Sequence, residues 1–302
     1  MSSQPIPGAR FVDPDVLARI GKLDLMARTV VDGFINGLHR APYFGASIDF
    51  AEHRGYVAGD DIRRVDWKVF GRTDRFYIKQ YEADTNTNFS VLLDVSKSMG
   101  FGTGALTKLE YGSYLAACLG YMSQGQRDRV GIITFDSEIV EHVPPSAKHF
   151  NQMLTVLDRA RPGRPGDFVP PIRKAAEFFK RRGFVAIISD LYETPEKIVD
   201  AVKPLNHLGN DLLVFHVLDK AELEFTYSDA SRFRDMETNE ELPIVPESFS
   251  KEYRKLMDAH IEALRSQFSE NRIDYSVVDT SRPLDEALFR YLATRQKTSR
   301  VR

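Results

Sequence analysis

Apolar positions along this chain follow two rhythms. From residue 88 onward, short runs that are apolar along their whole length alternate with longer stretches that are apolar at helical spacing. FSVLLD (89–94), FVAIISD (184–190), DLLVFHVLD (211–219) and RIDYSVVD (272–279) are the strand-like runs. A strand with no polar face is covered on both sides, the mark of a parallel sheet between two helical layers. DRVGIITFDSEIVEHV (128–143) reads as two strands joined by a turn at Asp136–Ser137. Helices are expected at about 107–124, 149–160, 195–207, 248–270 and 284–296. A further one runs from the Gly- and Pro-rich loop RPGRPGDFVPP (161–171) to Arg182. Right-handed crossovers then give a doubly wound, mostly parallel α/β sheet with helices on both faces. Its functional edge is the rim where strands end at their C-termini.

The first 87 residues keep a different pattern. Residues 14–39 read as a helix: Pro14 suits a first turn, and Leu17, Ile20, Leu23, Leu25, Val30, Phe34 and Leu38 recur at helical spacing. Residues 40–87 are rich in Gly, Asp, Arg and aromatics, and RFYIKQYE (75–82) alternates as a half-exposed strand does. Residues 220–247 interrupt the α/β order with short alternating runs. The chain is therefore read as an N-terminal extension over 1–87 and an α/β domain over 88–302, with a small β-rich insertion at about 220–247.

Composition narrows the function classes. The chain has 302 residues, 42% apolar and 28% charged, which suits a folded protein with a sizeable core. A net charge of −2 argues against a general nucleic-acid binder. Basic residues between 54 and 79 are interleaved with acidic ones, which weakens any local phosphate affinity. The one cysteine, Cys118, makes no internal disulfide and no cysteine-rich zinc site. No apolar run approaches the ~20 residues of a membrane helix, and MSSQPIPGARF lacks a signal pattern. These features lead us to expect a cytoplasmic protein without membrane insertion.

Candidate chemistry gathers at the strand ends. Asp94 closes one apolar run, with Ser96 and Ser98 at alternate positions after it, and Asp190 closes another. In a doubly wound sheet both ends lie on one rim, so two carboxylates and two hydroxyls are expected to converge. Oxygen donors of that kind suit Mg²⁺, which takes six in octahedral geometry and keeps waters. Such a set leaves the ion under-neutralised and open to an acidic group from a partner. The alternative is structural, because Asp and Ser after a strand also cap helices and build turns. Catalysis has less to stand on. His142 and His149 lie beyond the hairpin, and His216 sits inside an apolar strand as a core histidine would. GxSxG and GxxxxGK[ST] are both absent.

Asp94-Val95-Ser96-Lys97-Ser98 resembles the Asp-x-Ser-x-Ser opening of the metal-ion-dependent adhesion site in von Willebrand factor type A domains. Asp190 matches that family's second aspartate. The family also takes a threonine from an intervening loop. Here the matching loop reads Gly166-Asp167-Phe168, with Phe168 at the threonine position and Asp167 as a substitute oxygen. The resemblance implies a von Willebrand factor A-like fold and a degenerate site of Asp94, Ser96, Ser98, Asp190 and Asp167 for Mg²⁺.

A second resemblance rests on RGYVAGDDIRRVDWKVFGR (54–72). Asp60, Arg63 and Asp66 fall three apart, the spacing of an ion-paired row on a helical turn, and Trp67 offers a large apolar face. By itself this spacing also suits a purely architectural clamp. The stretch resembles the signature of the bacterial domain-of-unknown-function 58 family; many relatives carry membrane helices near the N-terminus, and with none read in this chain the resemblance implies the soluble branch. That family typically accompanies MoxR-type AAA+ ATPases. The resemblance implies a non-enzymatic partner of such an ATPase, acting on client proteins in assembly or maturation, with Arg54, Tyr56, Asp60, Arg63, Asp66 and Trp67 as a partner-binding surface. A metal-dependent phosphate-ester hydrolase and a metal-free scaffold are the alternative readings.

Overall fold

The computed structural model describes residues 22–40, 53–55, 77–79, 87–225, 231–234, 241–244 and 246–300. At its centre is a six-stranded sheet built from β3 (Asn88–Asp94), β4 (Arg129–Phe135), β5 (Ile139–Ser146), β6 (Gly183–Ser189), β7 (Asp211–Leu218) and β10 (Asp274–Asp279). The spatial order is β10-β7-β6-β3-β4-β5. Every neighbouring pair is parallel except β4 and β5, which form an antiparallel hairpin at one edge. This is the doubly wound, mostly parallel architecture expected from the alternation of apolar runs, and the von Willebrand factor A-like fold that the resemblance implied. The order reverses at β3: the chain moves outward through β4 and β5, then returns to place β6 on the other side. The gap between the ends of β3 and β6 is therefore the switch point, where open α/β sheets bind ligands.

Alternation along the strands divides the core into two layers. Phe89, Val91 and Leu93 of β3 share one cluster with Phe184, Ala186 and Ile188 of β6. That face is covered by α1 (Leu23–Arg40), α2 (Lys108–Gly125), α3 (Phe150–Arg159) and α8 (Asp285–Arg300), which contribute Phe34, Leu115, Met153 and Leu288. Leu92 of β3 and Val185 and Ile187 of β6 face the other way, toward α4 (Val169–Ala176), α5 (Pro195–His207) and α7 (Pro246–Glu270). Met26, Ala27, Val30, Val31 and Phe34 of α1 are all buried in the first layer, so this N-terminal helix shares the core of the sheet.

Local signals explain the element ends. Thr107 and Glu110 form a capping box that starts α2, and Asp219 and Glu222 form another at α6 (Lys220–Glu224). The stretch after β7 thus begins with a helical turn. Its β part is the antiparallel pair β8 (Ser231–Arg234) and β9 (Glu241–Ile244). Helix α4 is shorter than expected: it stops at Ala176, and Glu177, Phe178 and Phe179 continue in i→i+3 turns instead of reaching Arg182. Of the expected strand at 75–82, β2 (Tyr77–Lys79) is described, paired antiparallel with β1 (His53–Gly55).

Gly183 opens β6 directly beside β3. A Cβ there would stand 2.4 Å from the Asn88 carbonyl oxygen, and backbone does not yield as a side chain would. Gly183→Ala is expected to lower stability by about 1–3 kcal/mol through overpacking at the strand pair. Chemical denaturation checks this, and an unchanged midpoint would show that the strand ends separate freely.

Candidate functional site

The rim at the C-terminal ends of the strands is lined with aspartates, one per parallel strand: Asp94, Asp136, Asp190, Asp219 and Asp279. Each has a different occupation. Asp136 accepts from Arg164 Nε at 3.3 Å and caps the hairpin turn through Glu138 N–H at 3.0 Å. Asp219 binds Thr103 N–H at 2.9 Å and Ala221 N–H at 2.8 Å, tying the loop after β3 to the start of α6. Asp279 accepts from the backbone and hydroxyl of Ser281 at 2.8 and 2.7 Å. The two at the switch point, Asp94 and Asp190, are the ones singled out by the sequence.

Strand register places these two on different sides of the sheet. Leu93 is paired with Ile188, so the next step sets Asp94 abreast of Ser189, with Asp190 one residue further on. Asp94 Oδ2 accepts from Ser189 Oγ at 2.6 Å and Oδ1 from Ser96 N–H at 2.8 Å. The Ser96 and Ser98 hydroxyls lie 3.1 Å apart, bonded to each other, with Ser96 just before and Ser98 inside the 3₁₀ turn that opens at Lys97. All of these groups are buried, Ser189 completely. Burial first, and then the negative charge of Asp190, push the Asp94 carboxyl up to about 7, against the hydrogen bonds from Ser189 and Ser96.

Asp190 points to the α2 side. Its Oδ2 accepts from Lys108 Nζ at 2.8 Å, and the same ammonium donates to Glu222 Oε1 at 2.7 Å. Lys108, the first residue of α2, is fully buried at 0% exposure. The other Glu222 oxygen caps Asp219 N–H at 2.8 Å, so one carboxylate serves both the ion pair and the helix start. The Lys108 ammonium also lies 4.7 Å from the centroid of the Tyr192 ring and 5.9 Å from that of Phe101. Burial opposes its charge, but Asp190 and Glu222 outweigh burial and hold its pKa above the ordinary lysine value. Glu222 is itself raised by burial, with Lys108 pulling the other way. Tyr192 covers this network and leaves 51% of its surface exposed. Between Asp190 and Tyr192, Leu191 adopts φ +51, a left-handed conformation rare for leucine. Ser189 Oγ, accepting from Leu191 N–H at 3.0 Å, and the full burial of the leucine side chain hold it there.

The loop expected to complete the site is seated over the Asp94 turn by Gly163 N–H to Val95 O at 2.8 Å and Lys97 N–H to Arg164 O at 3.1 Å. Phe168 leaves this loop for the core, packing edge-on against Phe135 at 6.0 Å between centroids. Asp167 is exposed and accepts from Val169 N–H at 3.2 Å, as a local cap for α4. Of the five residues expected to hold Mg²⁺, the structure therefore brings Asp94, Ser96 and Ser98 together. Asp190 is given to an ammonium, and Asp167 to a helix end. An octahedral ion needs several converging oxygens that are not already neutralised. These residues do not fit it, and among the described residues no group of three or more Asp, Glu, His or Cys side chains is placed to hold a metal.

Of the expected partner-binding residues, Arg54 lies on β1 with its Cα opposite Ile78. Tyr56, Asp60, Arg63, Asp66 and Trp67 lie outside the described residues. His216 is a core residue of β7, its Nδ1 2.7 Å from Tyr275 Oη. Cys118 is buried in α2, and burial raises its thiol far above the usual range, leaving it as packing. Sequence reasoning missed Ser189, Lys108, Tyr192 and Glu222. Ser189 was legible as the neighbour of Asp190, and Glu222 as the fourth residue of a capping-box pattern, but nothing local pairs Ser189 with Asp94 or Glu222 with Lys108.

The family described as protein of unknown function DUF58 matches residues 52–263. The chain belongs to that family. Relatives named uncharacterized protein Mb1516 of Mycobacterium bovis and Rv1480 of Mycobacterium tuberculosis are each 28% identical over 219 residues, covering 70% of this chain and 68% of theirs. Among solved structures, the conserved hypothetical protein BatB from Bacteroides thetaiotaomicron superposes with a TM-score of 0.50 at 16% identity. The match covers 70% of this chain and 99% of that one, a likeness of fold. In this DUF58 member no described helix is long and apolar enough to cross a membrane.

Proposed function

We propose that this DUF58 protein is a non-enzymatic protein-interaction module that works with a MoxR-type AAA+ ATPase in the assembly or maturation of client proteins. The observation that carries the reading is the construction of the switch-point rim. The titratable groups there are consumed by one another, while a large aromatic and a guanidinium stand outward. Tyr192 is 51% exposed and the Arg164 side chain 58% exposed. Exposed aromatics and arginines are the residue types that carry binding energy at interfaces. The hydroxyls at the rim contact carboxylate, hydroxyl and backbone groups, and Ser189 with Asp94 lies below the surface, which argues against turnover of a phosphate ester.

The test is capture of the MoxR-type AAA+ ATPase encoded in the same genome by the purified full chain. Tyr192→Ala combined with Arg164→Ala is expected to weaken capture by roughly tenfold or more, the loss of one strong interface anchor. Circular dichroism should show the same secondary structure in the variant. Equal capture by variant and wild type, or no capture by either, would remove the rim or the ATPase from the proposal.

A further inference from the structure

We propose that the ammonium of Lys108 is the resident cation of the switch-point site, and that this site takes no divalent metal. The inference stands on the placement of Lys108 and does not depend on the chain being an interaction module. Lysine at the first position of a helix is set against the helix dipole, whose positive end lies there. A buried ammonium also forfeits its hydration. Lys108 carries both penalties: it opens α2, and none of its surface is exposed. What holds it is the pair of carboxylates at 2.8 and 2.7 Å, from Asp190 at the end of β6 and Glu222 on α6, with the Tyr192 ring 4.7 Å from the charge.

Charge and distance then decide against a second cation. Mg²⁺ bound to an Asp190 oxygen at about 2.1 Å would stand within roughly 5 Å of the ammonium already bonded to that carboxylate. Two cations so close, in a region with little water, repel strongly. The remaining donors make a poor site without Asp190. Asp94 is turned to the Ser189 side of the sheet, the Ser96 and Ser98 hydroxyls bond each other, and Phe168 fills the core where a loop oxygen would be needed. The ammonium neutralises the acids as an ion would, but it has no open coordination position. A partner's carboxylate therefore has no metal to complete here, and any capture at this rim proceeds without one.

The experiment is a Mn²⁺ titration of the full chain followed by electron paramagnetic resonance, with calorimetry in parallel. Wild type is expected to give no saturable binding into the millimolar range and the same melting temperature in EDTA as in Mg²⁺. Lys108→Ala, which frees Asp190 and Glu222, is expected to bind Mn²⁺ roughly tenfold tighter or better and to melt higher when Mn²⁺ is added. Saturable Mn²⁺ binding by wild type that disappears in Asp94→Asn would overturn the proposal. A folded Lys108→Ala protein that gains no Mn²⁺ affinity would overturn the assignment of the ammonium to the cation's place. Should that variant fail to fold, the wild-type titration decides alone.

Discussion

Lys108→Met is expected to destabilise the protein by about 3–5 kcal/mol, because it removes one charge and strands two of the opposite sign. Methionine nearly matches the lysine stem in volume, so packing contributes little to the loss. What remains is Asp190, 2% exposed, and Glu222, whose side chain is 11% exposed, facing each other with no cation between them. The contrast with Asp200 and Lys203 shows why burial decides the size of the effect. That pair has the same 2.8 Å separation but side chains 60% and 38% exposed, so water screens it, and breaking it with Lys203→Met is expected to leave stability nearly unchanged. Urea denaturation of the two single variants separates the cases. Adding Asp190→Asn and Glu222→Gln to Lys108→Met should recover much of the loss, since neutral side chains need no counter-charge. Failure of that rescue would show that Lys108 acts through shape and not through charge.

Acid is expected to weaken the fold through His216. Burial first, and then the neighbouring His260, lower its pKa to about 3, with the Asp190 backbone opposing. The folded protein thus keeps the imidazole neutral, while the unfolded chain takes up a proton near 6.5. A depressed folded value means that the stabilisation is present above about pH 6.5 and is lost as pH falls toward about 3. The slope is about 1.4 kcal/mol per pH unit, or about 2 kcal/mol between pH 6.5 and 5. His260 is lowered as well, by burial, and adds in the same direction. Asp94 acts with the opposite sign. Its carboxyl is raised to about 7, so its contribution is fully present below the unfolded value of 3.8 and is lost as pH rises through about 7. The raw pH curve therefore mixes opposed effects. His216→Gln, which keeps a hydrogen-bonding group for Tyr275 Oη, isolates the histidine. The stability difference between wild type and variant should shrink by about 2 kcal/mol from pH 7.5 to pH 5. A constant difference would mean that His216 is protonated in the folded protein.

The central strands were legible because parallel strands buried on both faces must be apolar throughout. FSVLLD, FVAIISD and DLLVFHVLD could take few other places. Elements of mixed character were less so. Helix α4 ends six residues early because the residues after Ala176 tighten into turns, and the stretch after β7 opens as a helix because Asp219 and Glu222 cap it. At the site, the common rim of Asp94 and Asp190 followed from both ending apolar runs. Their division between two faces did not, because it depends on which residues lie abreast in β3 and β6.

By itself the order of apolar and polar residues determined the layered sheet, its functional rim and the presence of acids along that edge. It did so because burial on two faces and the twofold strand period are local properties of the chain. Only the tertiary structure decided what those acids do. A one-residue offset at the end of a strand reverses the direction of a side chain, and that offset gave Asp94 to Ser189 and Asp190 to Lys108. The Lys108–Asp190 pair spans 82 residues and the Lys108–Glu222 pair 114, so the charge balance exists only once the sheet has assembled.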